Sequence, residues 1–217
     1  MKKHAYENIM NPLSALESQL LQVPVRKGYD GIEHAVLIFE EDPQNFFEAL
    51  APVVRFIQKN RLGEPLIINR LFIETSLDSY PLEFIDICSS YRNLFAKKDM
   101  LADLRFAKMD VRLQMERELK GNWLLTRQAV LEHPKRIRRI KEVINMSRFA
   151  LYPVVKGFFA LTDKTVPKDL ESAIAPAAQI CGIDLEFLRA RVKDLQDVYA
   201  YLRMLENLMI RVQSWEL

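Results

Sequence analysis

Two cysteines and three histidines in 217 residues leave little material for a metal or redox centre. Cys88 and Cys181 lie far apart, and neither has a second cysteine or a histidine at metal-site spacing. No zinc site or disulfide framework is indicated, and a reduced, cytoplasmic protein is expected. His4, His34 and His133 share no recurrent acid–histidine spacing, and His34, at the head of an apolar run, reads as a packed histidine. HExxH, a Gly-rich phosphate loop and a serine or cysteine triad signature are all missing. No apolar run is long and charge-free enough to span a bilayer, and none near the start resembles a signal peptide, so no membrane partner is expected. Charge of one sign is lacking too: 31 Lys and Arg stand against 29 Asp and Glu, a balance that calls for no polyanionic partner. There is no internal repeat and no low-complexity tract.

What the chain does have is helix. Residues 103–133 form the longest unbroken helical signal. At ~3.6 residues per turn it places Met109, Leu113, Leu124 and Leu131 along one side and Val111, Met115, Leu119 and Ala129 along another. A helix apolar on most sides is expected to be central, packed by several neighbours. Arg112, Glu116 and Lys120 follow one another at i, i+4, i+8, with Arg127 two turns further on. That spacing permits a ladder of opposite charges. It reads either as a structural ion-pair network or as the polar lining of a ligand cleft, and these four residues are the ligand-binding candidates.

The rest of the chain divides around this helix. Residues 1–22 turn helical, with Leu13, Leu16, Leu20 and Leu21 as a stripe, and residues 23–31, with Pro24, Gly28 and Gly31, read as a loop. A buried strand is expected over 34–39. Asp42 and Pro43 signal the start of a helix running to about residue 60, kinked at Pro52. A second strand is expected over 65–68, a short helix over 70–78, a third strand over 82–88 after Tyr80-Pro81, and a hairpin partner over 91–95. After residue 99 every strong signal is helical: 103–133, 134–161 with Pro153 inside it, a helix opening at Pro167 and ending at Cys181-Gly182, and one capped by Asp184 and running to about Trp215. The expected fold is α+β and mostly helical: an N-terminal helix over 1–22, a small mixed sheet domain over 23–99 and an antiparallel helical bundle over 100–217. The last helix, rich in Leu and Met, is suited either to sealing the bundle or to a homodimer.

The order of elements, with PLIIN at 65–69, SYPLEFIDI at 79–87, RNLF at 92–95 and DVRLQMERELKG at 110–121, resembles a bacterial group of nucleotidyltransferase-fold proteins of the polymerase-beta and kanamycin nucleotidyltransferase type. The resemblance covers residues 33–217 and implies a sheet domain followed by a bundle that helps form the substrate site. It also implies a Gly-Ser turn for the triphosphate and an Asp-x-Asp pair with a third carboxylate for Mg²⁺, because two metals on phosphate oxygens need several hard anionic ligands converging on one spot. The chain departs from this. The Asp-x-Asp positions fall on Ile32 and His34, or one residue on at Glu33 and Ala35, and no Gly-Ser precedes them. Only Glu83 or Asp86 could stand for the third acid. The resemblance therefore implies a degenerate, non-catalytic member that binds a small molecule or a protein, with no cofactor. The alternative is an active Mg²⁺-dependent enzyme using Glu33, Glu83 and Asp86.

Three further patterns carry blander readings. Glu40, Glu41 and Asp42 suit a helix N-terminus. KRIRRIK at 135–141 has no interleaved aromatics for stacking on single strands and reads as a solvated helix face, so a nucleic-acid partner is not expected. Arg127 and His133 match the loose Arg-x(4–6)-His spacing that resembles the ribonuclease motif of HEPN bundles, where one residue stabilises charge and the other moves a proton.

Overall fold

The computed structural model describes residues 6–28, 31–134 and 136–216. His4, Lys135 and residues 29–30 of the expected 23–31 loop lie outside them. The fold is α+β and mostly helical, with one four-stranded mixed sheet. No helix among the described residues is long and apolar enough to cross a membrane.

Strands β1 (Leu20–Lys27), β2 (Glu33–Phe39), β3 (Leu66–Asn69) and β4 (Arg92–Ala96) are ordered β3-β2-β1-β4. The pairings of β1 with β2 and with β4 are antiparallel, and that of β2 with β3 is parallel. Two expectations are corrected here. Residues 1–22 are not one helix: α1 (Met10–Leu13) and a 3₁₀ turn at Ser14–Leu16 give way to β1 at Leu20. Nor is the stretch from Val23 to Lys27 a loop; it is most of the central strand β1. Pro24 is tolerated because the register of β1 against β4 shifts between Val23 and Pro24, the kind of irregularity where a missing N–H does least harm.

Helix α2 (Phe46–Asn60) follows β2 and starts later than expected. Asp42 does not cap it, since its Oδ1 accepts a 2.9 Å hydrogen bond from Asn69 Nδ2 at the end of β3. Leu50, Val53 and Ile57 of α2 join Leu13, Val23 and Leu37 in one buried cluster. Helix α3 (Arg70–Ser76) leaves β3 directly, capped by the Asn69 side chain on Phe72 N–H.

The stretch expected as a third strand is helix α4 (Pro81–Cys88). Leu82, Phe84, Ile85, Asp86 and Ile87 are all buried, so the run has no alternating face to distinguish strand from helix. Pro81 in the first turn suits a helix start, and the Leu82 amide, left without an intrahelical partner there, donates to Gln114 Oε1 at 2.8 Å. Strand β4 consequently pairs with β1 rather than with residues 82–88.

Helices α5 (Lys108–Glu132), α6 (Ile137–Leu161), α7 (Leu170–Cys181) and α8 (Leu195–Gln213) complete the chain. Helices α6 and α8 pack on α5, and α7 packs on α6. Asp169 caps α7 through Ser172 N–H, and Gly182, with φ +72°, ends it. The expected helix from Asp184 is interrupted: a 3₁₀ turn at Glu186–Leu188 precedes α8, which is capped by Asp194. One row of α5 is buried as expected, with Val111, Met115, Leu119 and Ala129 inside. The other is not. Met109, Leu113, Leu124 and Leu131 are 49–79% exposed, so α5 is packed on one side only.

The chain falls into two compact units that differ from a single boundary near residue 100. One holds the described residues as far as Leu77 together with Ser90–Arg105; the other holds Asp78–Ser89 and everything from Phe106 on. Helix α4 belongs with the helices because it packs on both α5 and α6. Gly157 allows that approach, since a Cβ there would lie 2.7 Å from Met115 Sδ and 2.9 Å from Leu82 Cδ2.

Candidate functional site

The candidate carboxylates are all engaged. Glu33, at the start of β2 in the sheet unit, pairs with Arg92 Nη2 at 3.0 Å. Glu83 and Asp86 stand on α4 in the helical unit, not on a strand. Glu83 Oε2 accepts from Gln114 Nε2 at 2.6 Å. Burial, with Glu83's charge adding to it against the pull of Arg117, raises the pKa of neighbouring Glu118. Asp86 is 2% exposed and accepts from Lys156 Nζ at 2.7 Å. The same Nζ donates to Ser89 Oγ at 2.8 Å. The ammonium already occupies Asp86 Oδ1 and compensates its charge. Among the described residues no group of three or more His, Cys, Asp or Glu is placed to hold a metal ion.

The expected charge ladder forms. Arg112 Nη1 donates to Glu116 Oε2 at 3.1 Å, and Lys120 Nζ donates to Glu116 Oε1. The hydrogen bond from Lys120 and the charges of Lys120 and Arg112 outweigh burial and hold the Glu116 carboxyl below its usual range. Arg127 is engaged differently, with its guanidinium 4.2 Å from the centre of the Trp123 ring, while Trp123 Nε1 donates to Glu206 at 3.1 Å. His133 is the C-cap of α5, its backbone N–H donating to Ala129 O. Arg127 and His133 thus sit on the exposed last turns of α5 and at its end.

What sequence reasoning missed is a groove of about 450 Å³ between α5 and α6. Each helix contributes a row at i, i+4, i+7: Asn122, Thr126 and Ala129 from α5, and Val143, Ser147 and Ala150 from α6. Short side chains along both rows hold the space open. Leu125 and Met146 also line it and are 63% and 72% exposed. Thr126 is fully buried, and its Oγ1 has no hydrogen-bond partner among the described residues. A helical threonine usually satisfies its hydroxyl on the carbonyl one turn back, and here it does not. Ser147 is engaged, with its Oγ 2.6 Å from Tyr201 OH.

Behind Ser147, Arg148 is 6% exposed, and its Nε and Nη2 also lack partners among the described residues. Burial lowers its pKa against the opposing pull of Tyr201, Tyr152 and Asp197. Its closest compensation is the Tyr201 ring, 5.8 Å from the guanidinium carbon. Burial in turn pushes the Tyr201 hydroxyl up to about 12. A small-residue spacing on 122–129 and 143–150 was the only signal in the sequence that could have pointed to the groove.

Comparison with protein-family models, with curated proteins and with solved structures gives no match.

Proposed function

We propose that this protein is a non-catalytic, nucleotidyltransferase-like binding module of the cytoplasm, and that the α5–α6 groove is its binding surface. One contrast carries the reading. The carboxylates that a nucleotidyl transfer would need are held by Arg92, Gln114 and Lys156, while the groove is lined largely by apolar side chains. Two-metal catalysis requires anionic oxygens available to cations, and an ammonium at 2.7 Å from Asp86 competes directly for that role. A pocket of apolar lining with a few polar groups is, conversely, the usual form of a small-molecule site. Both cysteines are free thiols, in keeping with a reducing compartment.

The test is a thermal-shift titration with ATP, GTP, CTP and UTP, each with and without Mg²⁺. A ligand bound only by the folded state at a hundredfold excess over its Kd stabilises it by ~2.7 kcal/mol, a shift easily read. The expected result is no Mg²⁺-dependent shift with any nucleotide. A Mg²⁺-dependent rise in Tm that disappears in Glu83→Gln would overturn the reading and restore an active transferase.

A further inference from the structure

Two features that lie apart in the sequence reading meet where α5 turns into α6. Residues 127–141 carry six Lys and Arg against a single acid, Glu132, while the whole chain is only +2, so the rest of the molecule is net acidic. Arg127 stands five residues before the end of α5 and Lys141 four residues after the start of α6, which at 1.5 Å per residue keeps the cations within about 8 Å of the connecting turn. That is less than the Debye length at 0.1 M salt, ~10 Å, so they act as one positive patch. Arg136, Arg138 and Arg139 are exposed. Glu142 pairs with both Arg138 and Arg139, at 3.5 and 3.0 Å, and cancels one of their two charges. Leu131, one residue before the end of α5, is 79% exposed at the centre of this patch. Expected inside the bundle, it stands outside among cations.

We infer that this end of the helical pair seats on the surface of an anionic lipid bilayer, with Leu131 dipped below the headgroup charges and the cations among them. The headgroup layer on each side of a bilayer is roughly 5–8 Å deep, which matches the depth of the patch. The proposal goes beyond the binding-module reading and does not draw on the groove. Charge and geometry select this partner over others. A nucleic acid would use the cations and leave Leu131 idle, and no aromatic residues interleave with 135–141 for stacking. An acidic helix laid between α5 and α6 would meet Glu132, the one ionisable residue of the groove lining, and no lining cation. Successive helical residues point about 100° apart, so Arg136, Arg138, Arg139 and Lys141 ring the start of α6 instead of lining one side of it. A rigid partner matches one side, whereas mobile anionic lipids gather around all of them. No spanning helix is needed, because a basic surface with an exposed apolar side chain lies on a bilayer without crossing it.

The test uses the full chain and sedimentation with vesicles of phosphatidylcholine alone or with phosphatidylserine added. Binding is expected only with phosphatidylserine, and it should fall at least tenfold between 0.1 M and 1 M NaCl, where the Debye length shrinks to ~3 Å. Each Lys or Arg near an anionic surface is worth about fivefold in partitioning, so Arg138→Gln with Arg139→Gln should weaken binding at least tenfold. Leu131→Asn should weaken it at least fivefold and leave the salt dependence as it was. Arg55→Gln with Lys59→Gln, the same charge change at exposed positions of α2, should leave binding within about twofold, and Tm should be unchanged in all three. Absent binding to the anionic vesicles, equal binding to phosphatidylcholine alone, or an equal loss in the α2 variant would overturn the proposal. Binding that survives Leu131→Asn and is competed away by tRNA or poly-glutamate would replace the bilayer with a soluble polyanion. The nucleotide titration is independent of every one of these outcomes, so failure here leaves the proposed function standing.

Discussion

Helix α6 buries two cations eight residues apart, and the structure treats them in opposite ways. Lys156 is 1% exposed and meets a carboxylate at 2.7 Å and a hydroxyl at 2.8 Å. Arg148 is 6% exposed and leaves Nε and Nη2 without acceptors among the described residues, facing a tyrosine ring instead. The first arrangement ties α6 to α4 and is complete. The second follows Ser147 on α6 and is incomplete, with two donors unmet among the described residues. Burial of a cation is therefore not informative by itself; what its donors face separates a structural pin from a region that gives up stability.

The sharpest way to break the comparison is to remove the acid of the complete pair. Asp86→Ala removes the carboxylate that faces the buried Lys156 ammonium, and an uncompensated buried charge costs about 3–5 kcal/mol. Urea denaturation should show a loss of that size. The double variant Asp86→Leu with Lys156→Met should recover most of it, since well-packed apolar replacements of a buried pair are often neutral or better. A single-variant loss below about 1 kcal/mol would mean that the pair does not hold α4 in place.

The opposite sign is expected at the incomplete site. Arg148→Met keeps much of the apolar stem and removes the unmet donors, so the urea midpoint should rise, by about 1 kcal/mol after allowing for the lost contact with the Tyr201 ring. A fall of more than ~2 kcal/mol would show that Arg148 is satisfied in solution by an acceptor, and the contrast between the two cations would vanish.

These two residues also mark the limit of what could be read from sequence. Periodicity located α5 and α6, whose face patterns survive without knowledge of their neighbours, and a short continuous apolar run of strand formers located β2. It failed on residues 81–88, where nearly every residue is buried and the choice of helix rests on Pro81 and on Gln114 more than thirty positions away. It failed on β1 because Pro24 and Gly28 are turn residues by preference, and only the shifted register against β4 makes room for the proline. Both apolar rows of α5 read alike, yet Met109, Leu113, Leu124 and Leu131 remain outside for want of a packed neighbour. The ladder from Arg112 to Lys120 was legible because its partners lie on the same helix. The groove was not, since an unmet Thr126 or Arg148 is defined by partners that fail to arrive from elsewhere in the fold.

That ladder supplies the smallest effect and the finest control. Glu116 accepts from Arg112 and Lys120 on one helix surface, where i,i+4 pairs are worth ~0.3–0.5 kcal/mol each. Glu116→Gln should lower stability by roughly 0.5 kcal/mol at low ionic strength, and the difference should shrink in 1 M NaCl, where the Debye length falls to ~3 Å. The pH dependence has a definite sign. The folded state holds this carboxyl below the ordinary glutamate value of 4.5, so it binds the proton less readily than the unfolded chain does. The contribution is present above that value and is lost as pH falls through the depressed one. Wild type and Glu116→Gln should therefore converge in stability in acid and separate above pH 4.5. A loss in Glu116→Gln as large as that in Asp86→Ala, insensitive to salt and pH, would place the ladder with the buried pin rather than on a solvated helix face.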